Sequence, residues 1–476
     1  MKSRKKRARF DEGLRTETSN TRIMGACLRC RNQRIRCVPN KNDSKSPLAP
    51  CETCLKVRRD SKKTIHNIPC LRVKVTSMEI YRRGGLGLTK RFDHTNVLDV
   101  SDHVDDVVYD IEIAQGICPH PLRLRVRRFR PQPTDITYRR YMDDGVPKKQ
   151  HIPAFCLADV KRTAREFSEY IDRYALTGLS EAARDSDDLI RETFLMLMEH
   201  YNSLSEDMKM EDVGNAQEAK QNTAGQKGFL QKIIRLWFAM RHEIGSAWLC
   251  GKECLGMSPE DGNNLPLPGR LSVPRMIVAQ FDSIRHVHIY KRLAPEVFRV
   301  FHNFLTSCNR HAWFTVFLAT FLLLHHVACA SQDRYRYAKQ NCEGKPQDTR
   351  YGNLDQPLTG FVEELHQGAV MLLAHWQYFK RCDLMNFNWD DVGDSALMSL
   401  EPYQVEFVKK LVAGFKENAK YFFKDTAGLI PTTPAEGCWE HELFWVSRMF
   451  VSELSPKTGW MPPEAFTRDK PSVGRE

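Results

Sequence analysis

Apolar residues follow two different periods along this chain. From about residue 156 they recur at helical spacing, and in "LADVKRTAREFSEYIDRYA" Val160, Ala164, Phe167, Ile171 and Tyr174 share one stripe. Segments near 181–203, 228–249, 274–308, 311–331, 357–381, 402–423 and 438–453 predict further helices. Between residues 103 and 141 the period is two. "DVVYDIEIAQG" and "LRLRVRRFRP" alternate apolar with polar positions and predict strands. The row Arg123, Arg125, Arg127 and Arg128 reads as the solvated face of an edge strand, with phosphate binding as the alternative. Residues 204–227 break the helical pattern as a polar loop, and no fixed-period repeat supports a solenoid.

One run, "AWFTVFLATFLLLHHVACA" at 312–330, approaches the length of a membrane span. It has no second comparable run beside it, and a helix apolar all round is ordinarily a core helix of a large domain. No membrane partner is expected. The pattern divides the chain into a polar, basic, disordered N-terminus (1–25), a cysteine-rich module (26–72) and a linker marked by Gly84, Gly85 and Gly87 (73–102). A strand-containing segment (103–150), an all-helical region (151–465) and a short tail (466–476) follow. The fold class expected is therefore a small metal-stabilised module, a short β-like segment and a large all-α domain.

Charge sharpens that division. The chain has 476 residues and a net charge of +12, yet residues 1–91 alone carry 25 Lys/Arg and 7 Asp/Glu, which leaves −6 on the remainder. A basic head on a mildly acidic body points to a polyanionic partner for the head. The N-terminal "MKSRKKRARF" lacks an apolar segment, so a secretory signal is not predicted, and clustered cysteine reads as metal chemistry rather than a disulfide framework. Arg4, Lys5, Lys6, Arg7 and Arg9 have the composition of a nuclear import signal.

Six cysteines, Cys27, Cys30, Cys37, Cys51, Cys54 and Cys70, follow the spacing C-x2-C-x6-C-x13-C-x2-C-x15-C. Each C-x2-C pair lets two sulfurs reach one tetrahedral ion. Six thiols cannot fill two separate tetrahedra, but they suffice where two sulfurs bridge both ions. A second reading takes Cys27, Cys30, Cys51 and Cys54 alone as a single-zinc site, with Cys37 and Cys70 as spare thiols.

The segment "CLRCRNQRIRC" resembles the DNA-binding helix of the fungal Zn2Cys6 binuclear-cluster transcription factors, including the arginine directly after the second cysteine. The resemblance covers about 45 residues and implies two zinc ions per chain. It further implies bridging by Cys27 and Cys51, and terminal ligation by Cys30, Cys37, Cys54 and Cys70. The thirteen-residue and fifteen-residue loops are longer than is usual in that family, and His66, within the second loop, is an alternative sixth ligand. A short helix from Cys27 to about Arg36 would set Arg31 and Arg34 one turn apart. The family's base-reading positions fall on Gln33 and Arg34, so Gln33 stands where a cation is usual. Arg29, Arg31, Arg36 and Lys56 would contact phosphates.

The resemblance thus implies a nuclear, sequence-specific regulator of RNA polymerase II transcription that binds double-stranded DNA at a CGG-like half-site and works with the transcription machinery. No leucine heptad follows Cys70, so no coiled coil for homodimerisation is visible, and pairing through the helical region stays open. The rival classes are a single-zinc nucleic-acid-binding protein without strong base preference, and an enzyme in the helical region. Cys250 with Cys254, His286 with His288, and His325 with His326 assemble no nucleophile, base and oxyanion arrangement, so no catalytic residue is assigned. The acidic and aromatic stretch 383–407 reads as an interhelical loop, with an activation segment as the alternative.

Overall fold

The computed structural model describes residues 12–40, 50–57, 70–72, 74–82, 86–93, 95–143, 146–204, 216–260, 267–306, 309–341, 358–390, 398–418 and 441–450. The basic cluster at Arg4–Arg9, His66 and residues 391–397 of the acidic stretch lie outside them.

The two alternating segments form β1 (Tyr109–Ala114) and β2 (Leu122–Arg128), paired antiparallel with Ile111 opposite Leu124. Ile111, Leu122, Leu124 and Val126 bury one face, as the period of two requires. β2 is not an edge strand. β5 (Phe155–Leu157) pairs with its outer side, and the sheet order is β5-β2-β1-β6-β7. Arg123, Arg125 and Arg127 are tolerated because they alternate onto the outer face, where Arg123 donates to Glu112 at 3.0 Å, and Arg128 is exposed at the strand end. A separate hairpin joins β3 (Tyr138–Asp143) to β4 (Val146–His151).

The region from 151 onward is largely rather than wholly helical. β5 opens it, and β6 (Trp248–Leu249) and β7 (Leu271–Ser272) complete the sheet from within it. The helix expected over 228–249 accordingly ends at Arg241 and gives way to β6. Among the described residues the helices are α1 (Glu12–Met24), α2 (Leu28–Asn32), α3 (Glu52–Leu55), α4 (Val160–Arg184), α5 (Asp188–Ser203), α6 (Ala216–Arg241) and α7 (Arg275–Ile284). They continue with α8 (Lys291–Thr306), α9 (Trp313–Asn341), α10 (Leu358–Phe379), α11 (Pro402–Glu417) and the short α12 (Phe444–Ser447). α1 occupies a stretch read from sequence as unstructured. α7 runs into α8 through a π-helical turn at Arg285–Tyr290.

The apolar run at 312–330 is a core element: 94% of its most hydrophobic window is buried, and the fully buried Trp237, Trp313, Trp376 and Trp445 belong to the same body. A helix packed on every side cannot keep a polar stripe, which is why this run shows none.

Residues 74–82, expected as a linker, are folded onto that body. Val75, Met78 and Ile80 are buried in its core, and the Ile80 carbonyl is bonded to His326 Nε2 at 3.1 Å. Arg82 ends the strap in a buried ion network with Asp282, and its amide donates to Glu243 Oε2 at 3.0 Å. Burial opposes charge on Arg82, but the Asp282 and Glu243 carboxylates outweigh it and hold the guanidinium above its ordinary pKa.

The strap passes over Gly368 of α10, where an added Cβ would stand 2.4 Å from the Glu79 carbonyl oxygen. Gly368→Ala is therefore expected to cost about 1–3 kcal/mol and to expose the strap to protease, because backbone must move. Gly225→Ala in α6 meets nothing within 4 Å and serves as the control, with a gain of about 0.5–1 kcal/mol. Thermal denaturation and limited proteolysis read both; equal behaviour of the two variants would refute the close approach.

Candidate metal centre and nucleic-acid interface

The cysteine module is built twice over on one local plan. Cys27 is the N-cap of α2 and its sulfur accepts from the Cys30 amide at 3.4 Å; Cys51 is the N-cap of α3 and accepts from the Cys54 amide at 3.3 Å. The third cysteine of each half closes back on the first. Cys37 Sγ accepts from the Cys27 amide at 3.5 Å, and Cys70 Sγ from the Cys51 amide at 3.3 Å. A cysteine N-cap places its sulfur over the open amides of the first helical turn, which favour negative charge there.

The two halves meet at their sulfurs. Cys27 Sγ lies 4.0 Å from Cys51 Sγ and 3.6 Å from Cys54 Sγ, and Cys30 Sγ lies 3.8 Å from Cys51 Sγ. A disulfide requires about 2.05 Å, so these are not bridges. Zn–S bonds of about 2.3 Å in a tetrahedron space neighbouring sulfurs by about 3.8 Å. Two groups of four sulfurs each fall within 4.8 Å of one another: Cys27, Cys30, Cys37 and Cys51, and Cys27, Cys51, Cys54 and Cys70. Cys27 and Cys51 belong to both. The donor set fits two tetrahedral cations that share two ligands, with all six cysteines used.

Crowding also disturbs the thiols' acidity. The hydrogen bond from Cys27 holds Cys51 well below the ordinary thiol range and Cys70 down at about 7, whereas burial pushes Cys30 up to about 11. Neutral and ionised sulfurs at such spacing share protons, and only added positive charge lets all six ionise together.

The six basic or polar residues expected to face DNA divide into two sets. Arg29 is buried: its guanidinium donates to the Thr53 carbonyl at 2.8 Å and so ties α2 to α3. Arg31 is half-buried, donates to the Ala26 carbonyl at 3.0 Å, and acts electrostatically on His302 of α8 and His375 of α10. It faces the helical body. Arg34, Arg36 and Lys56 are exposed, with Gln33 half-buried between them.

The helix expected to run to Arg36 stops at Asn32, and Gln33 is its C-cap. The reason is a Schellman motif: the Ile35 amide donates to the Cys30 carbonyl at 3.0 Å and the Arg34 amide to the Arg31 carbonyl at 3.2 Å. Arg34 therefore takes φ 55°, a left-handed position that usually holds glycine. Arg31 and Arg34 consequently do not share a helical face.

Two contributors escaped the spacing rules. Thr53 sits between Cys51 and Cys54, where C-x2-C leaves residue type open. Its hydroxyl donates to the Arg36 carbonyl at 2.7 Å and accepts from the Val38 amide at 3.3 Å, fixing the outward loop. Tyr378 of α10 lies against the sulfurs, and its hydroxyl is held above the usual tyrosine range by burial first and then by Cys27 and Cys54. The module is docked: the Leu28 amide donates to the Leu71 carbonyl at 2.8 Å, and both side chains join the core of the body.

A family model described as "KpeA transcription factor" matches residues 84–449, the sheet and helical body beyond the last cysteine of the module. No curated protein and no solved structure matches the chain.

The Schellman geometry gives Arg34 a stability cost that can be separated from any role in binding. Arg34→Gly is expected to relieve about 1 kcal/mol of left-handed strain and to slow hydrogen exchange at the Ile35 amide about fivefold, while Arg34→Ala gives no such protection. Exchange measured on the DNA-free chain checks this; equal protection in both variants would contradict the left-handed assignment.

Proposed function

This chain belongs to the KpeA transcription factor family, and from that premise we propose that it regulates transcription by presenting the cysteine module to double-stranded DNA. The family match supports a regulator rather than a catalyst. The observation that carries the finer reading is the pair of overlapping four-sulfur groups sharing Cys27 and Cys51. Two zinc ions bound there would offset most of the thiolate charge and cross-link the sulfurs, a structural role. Cys27 and Cys51 bridge, and Cys30, Cys37, Cys54 and Cys70 complete the two tetrahedra; Cys70 rather than His66 is the sixth ligand, in keeping with its bond to the Cys51 amide.

Within this reading the arginines divide their work. Arg29 and Arg31 hold the module together and against the body. Arg34 stands at the end of α2 with its guanidinium outward, where its fork suits the O6 and N7 acceptors of guanine. Gln33 beside it suits adenine, and Arg36 and Lys56 contact phosphates and set register. The apolar tips of Ile35 and Leu55, 42% and 57% exposed on the same module, suit thymine methyl groups. Basic N-terminal residues Arg4–Arg9 carry the chain into the nucleus, and the helical body meets the transcription machinery.

The single-zinc reading differs in its count. Cys27→Ser is expected to lose two zinc ions relative to wild type by native mass spectrometry, because it removes a shared ligand; loss of one ion would favour the four-cysteine site. Selection on random duplex DNA is expected to enrich a CGG-like half-site. Arg34→Ala should then lose about 1–3 kcal/mol of discrimination at one base pair. Lys56→Ala should weaken all sequences alike and reduce the salt slope by about one. The base-reading role fails if both variants show the same uniform loss.

A further inference from the structure

A second convergence of ligand-type side chains lies inside the helical body, away from the cysteine module. His325 and Cys329 stand one turn apart on α9, with Cys329 Sγ 3.4 Å from His325 Nε2. Glu442, from the segment 441–450 that packs back on α9, brings Oε2 to 3.6 Å from the same nitrogen. The three ligand atoms lie within 4.8 Å of one another.

Ordinary zinc bond lengths in a tetrahedron separate N from S by about 3.5 Å and N from O by about 3.4 Å. The observed spacings match these values without rearrangement. The arrangement is not that of a nucleophile relay. There the thiol and the acid would occupy opposite ring nitrogens, whereas both meet Nε2 here, and His325 Nδ1 has no partner among the described residues.

Neighbours hold the geometry in place. The Phe194 ring meets the His325 ring edge-on at 5.2 Å, and the Asp187 amide donates to Glu442 Oε1 at 3.4 Å. His325 is buried while Cys329 and Glu442 are partly exposed, and water would complete a tetrahedron as fourth ligand. Thiolate and carboxylate together balance a divalent charge. Arg241, whose positive charge also reaches the cluster, then faces a neutral centre.

We propose that His325, Cys329 and Glu442 form a zinc site distinct from the cysteine module, clasping the 441–450 segment onto α9. One thiolate, one imidazole and one carboxylate select a borderline-soft ion such as zinc over magnesium or calcium. Three protein ligands make it a more labile site than the module's own.

The test uses the full-length chain with zinc as the only added ligand. Native mass spectrometry should find one more zinc on wild type than on Cys329→Ser or Glu442→Gln, and adding zinc to chains whose cysteine module is already loaded should raise the melting temperature of wild type but not of Glu442→Gln. Should Cys329→Ser fail to fold, the partly exposed Glu442→Gln decides alone. Equal zinc content in wild type and Glu442→Gln overturns the site. That outcome is independent of the module: if Cys27→Ser loses no zinc while Glu442→Gln still loses one, the module's reading fails and this one stands.

Discussion

Six sulfurs held at non-bonded distance organise the amino-terminal part of this molecule. Around them there is almost nothing else to hold a fold: the module's own buried cluster is four cysteines with Ala26, Cys54 and Cys70 packed against it. So small a unit cannot meet the entropy of its own ordering by apolar burial. What brings its two halves together is the convergence of the six sulfurs, a donor set able to hold metal ions, and the outward groups take their positions from that frame. The Schellman turn at Arg34, the Thr53 hydroxyl that steadies Arg36, and the Arg29 tie between the helices all involve residues within three positions of a cysteine.

The module then borrows rigidity from a much larger core. Leu28 and Leu71 enter it directly, and the strap behind them is fixed by Val75, Ile80 and the Arg82–Asp282 pair. A buried ion pair of this kind contributes little net stability, because desolvation offsets most of its attraction. Its value is positional. Arg82 can satisfy Asp282 and Glu243 in one register only, so the strap cannot slide without leaving charges buried and unpaired. The family match, which begins at residue 84 and ends at 449, covers the body and leaves the cysteine module outside it.

Much of this was legible in the sequence where one interaction dominates over several residues. The C-x2-C pairs imposed sulfur proximity whatever the loops did, the alternation in 109–114 and 122–128 found β1 and β2, and the stripe at Val160–Tyr174 found α4. What stayed hidden depends on partners distant in sequence. β6 and β7 are two-residue strands that exist only because β1 offers an edge. Arg29 and Arg31 look identical to Arg34 in composition, but one is taken by the Thr53 carbonyl and the other turned toward His302 and His375. The strap was read as a linker because three glycines follow it, although Val75, Met78 and Ile80 carried the apolar signal. The His325 cluster was missed because adjacent histidines draw attention to each other, while the geometry pairs His325 with the residue four positions later.

The anchored strap has one more consequence. A reading head on a flexible tether samples many separations from a second head, and its preferred operator spacing is loose. Here residues 74–82 are seated along α10 and the body, so the cysteine module keeps a set bearing relative to the bulk of the protein. On the DNA-binding function proposed above, two copies meeting on one duplex would have the distance and angle between their modules dictated by the girth of two bodies placed side by side, and the tolerated spacers would become a ruler for that girth.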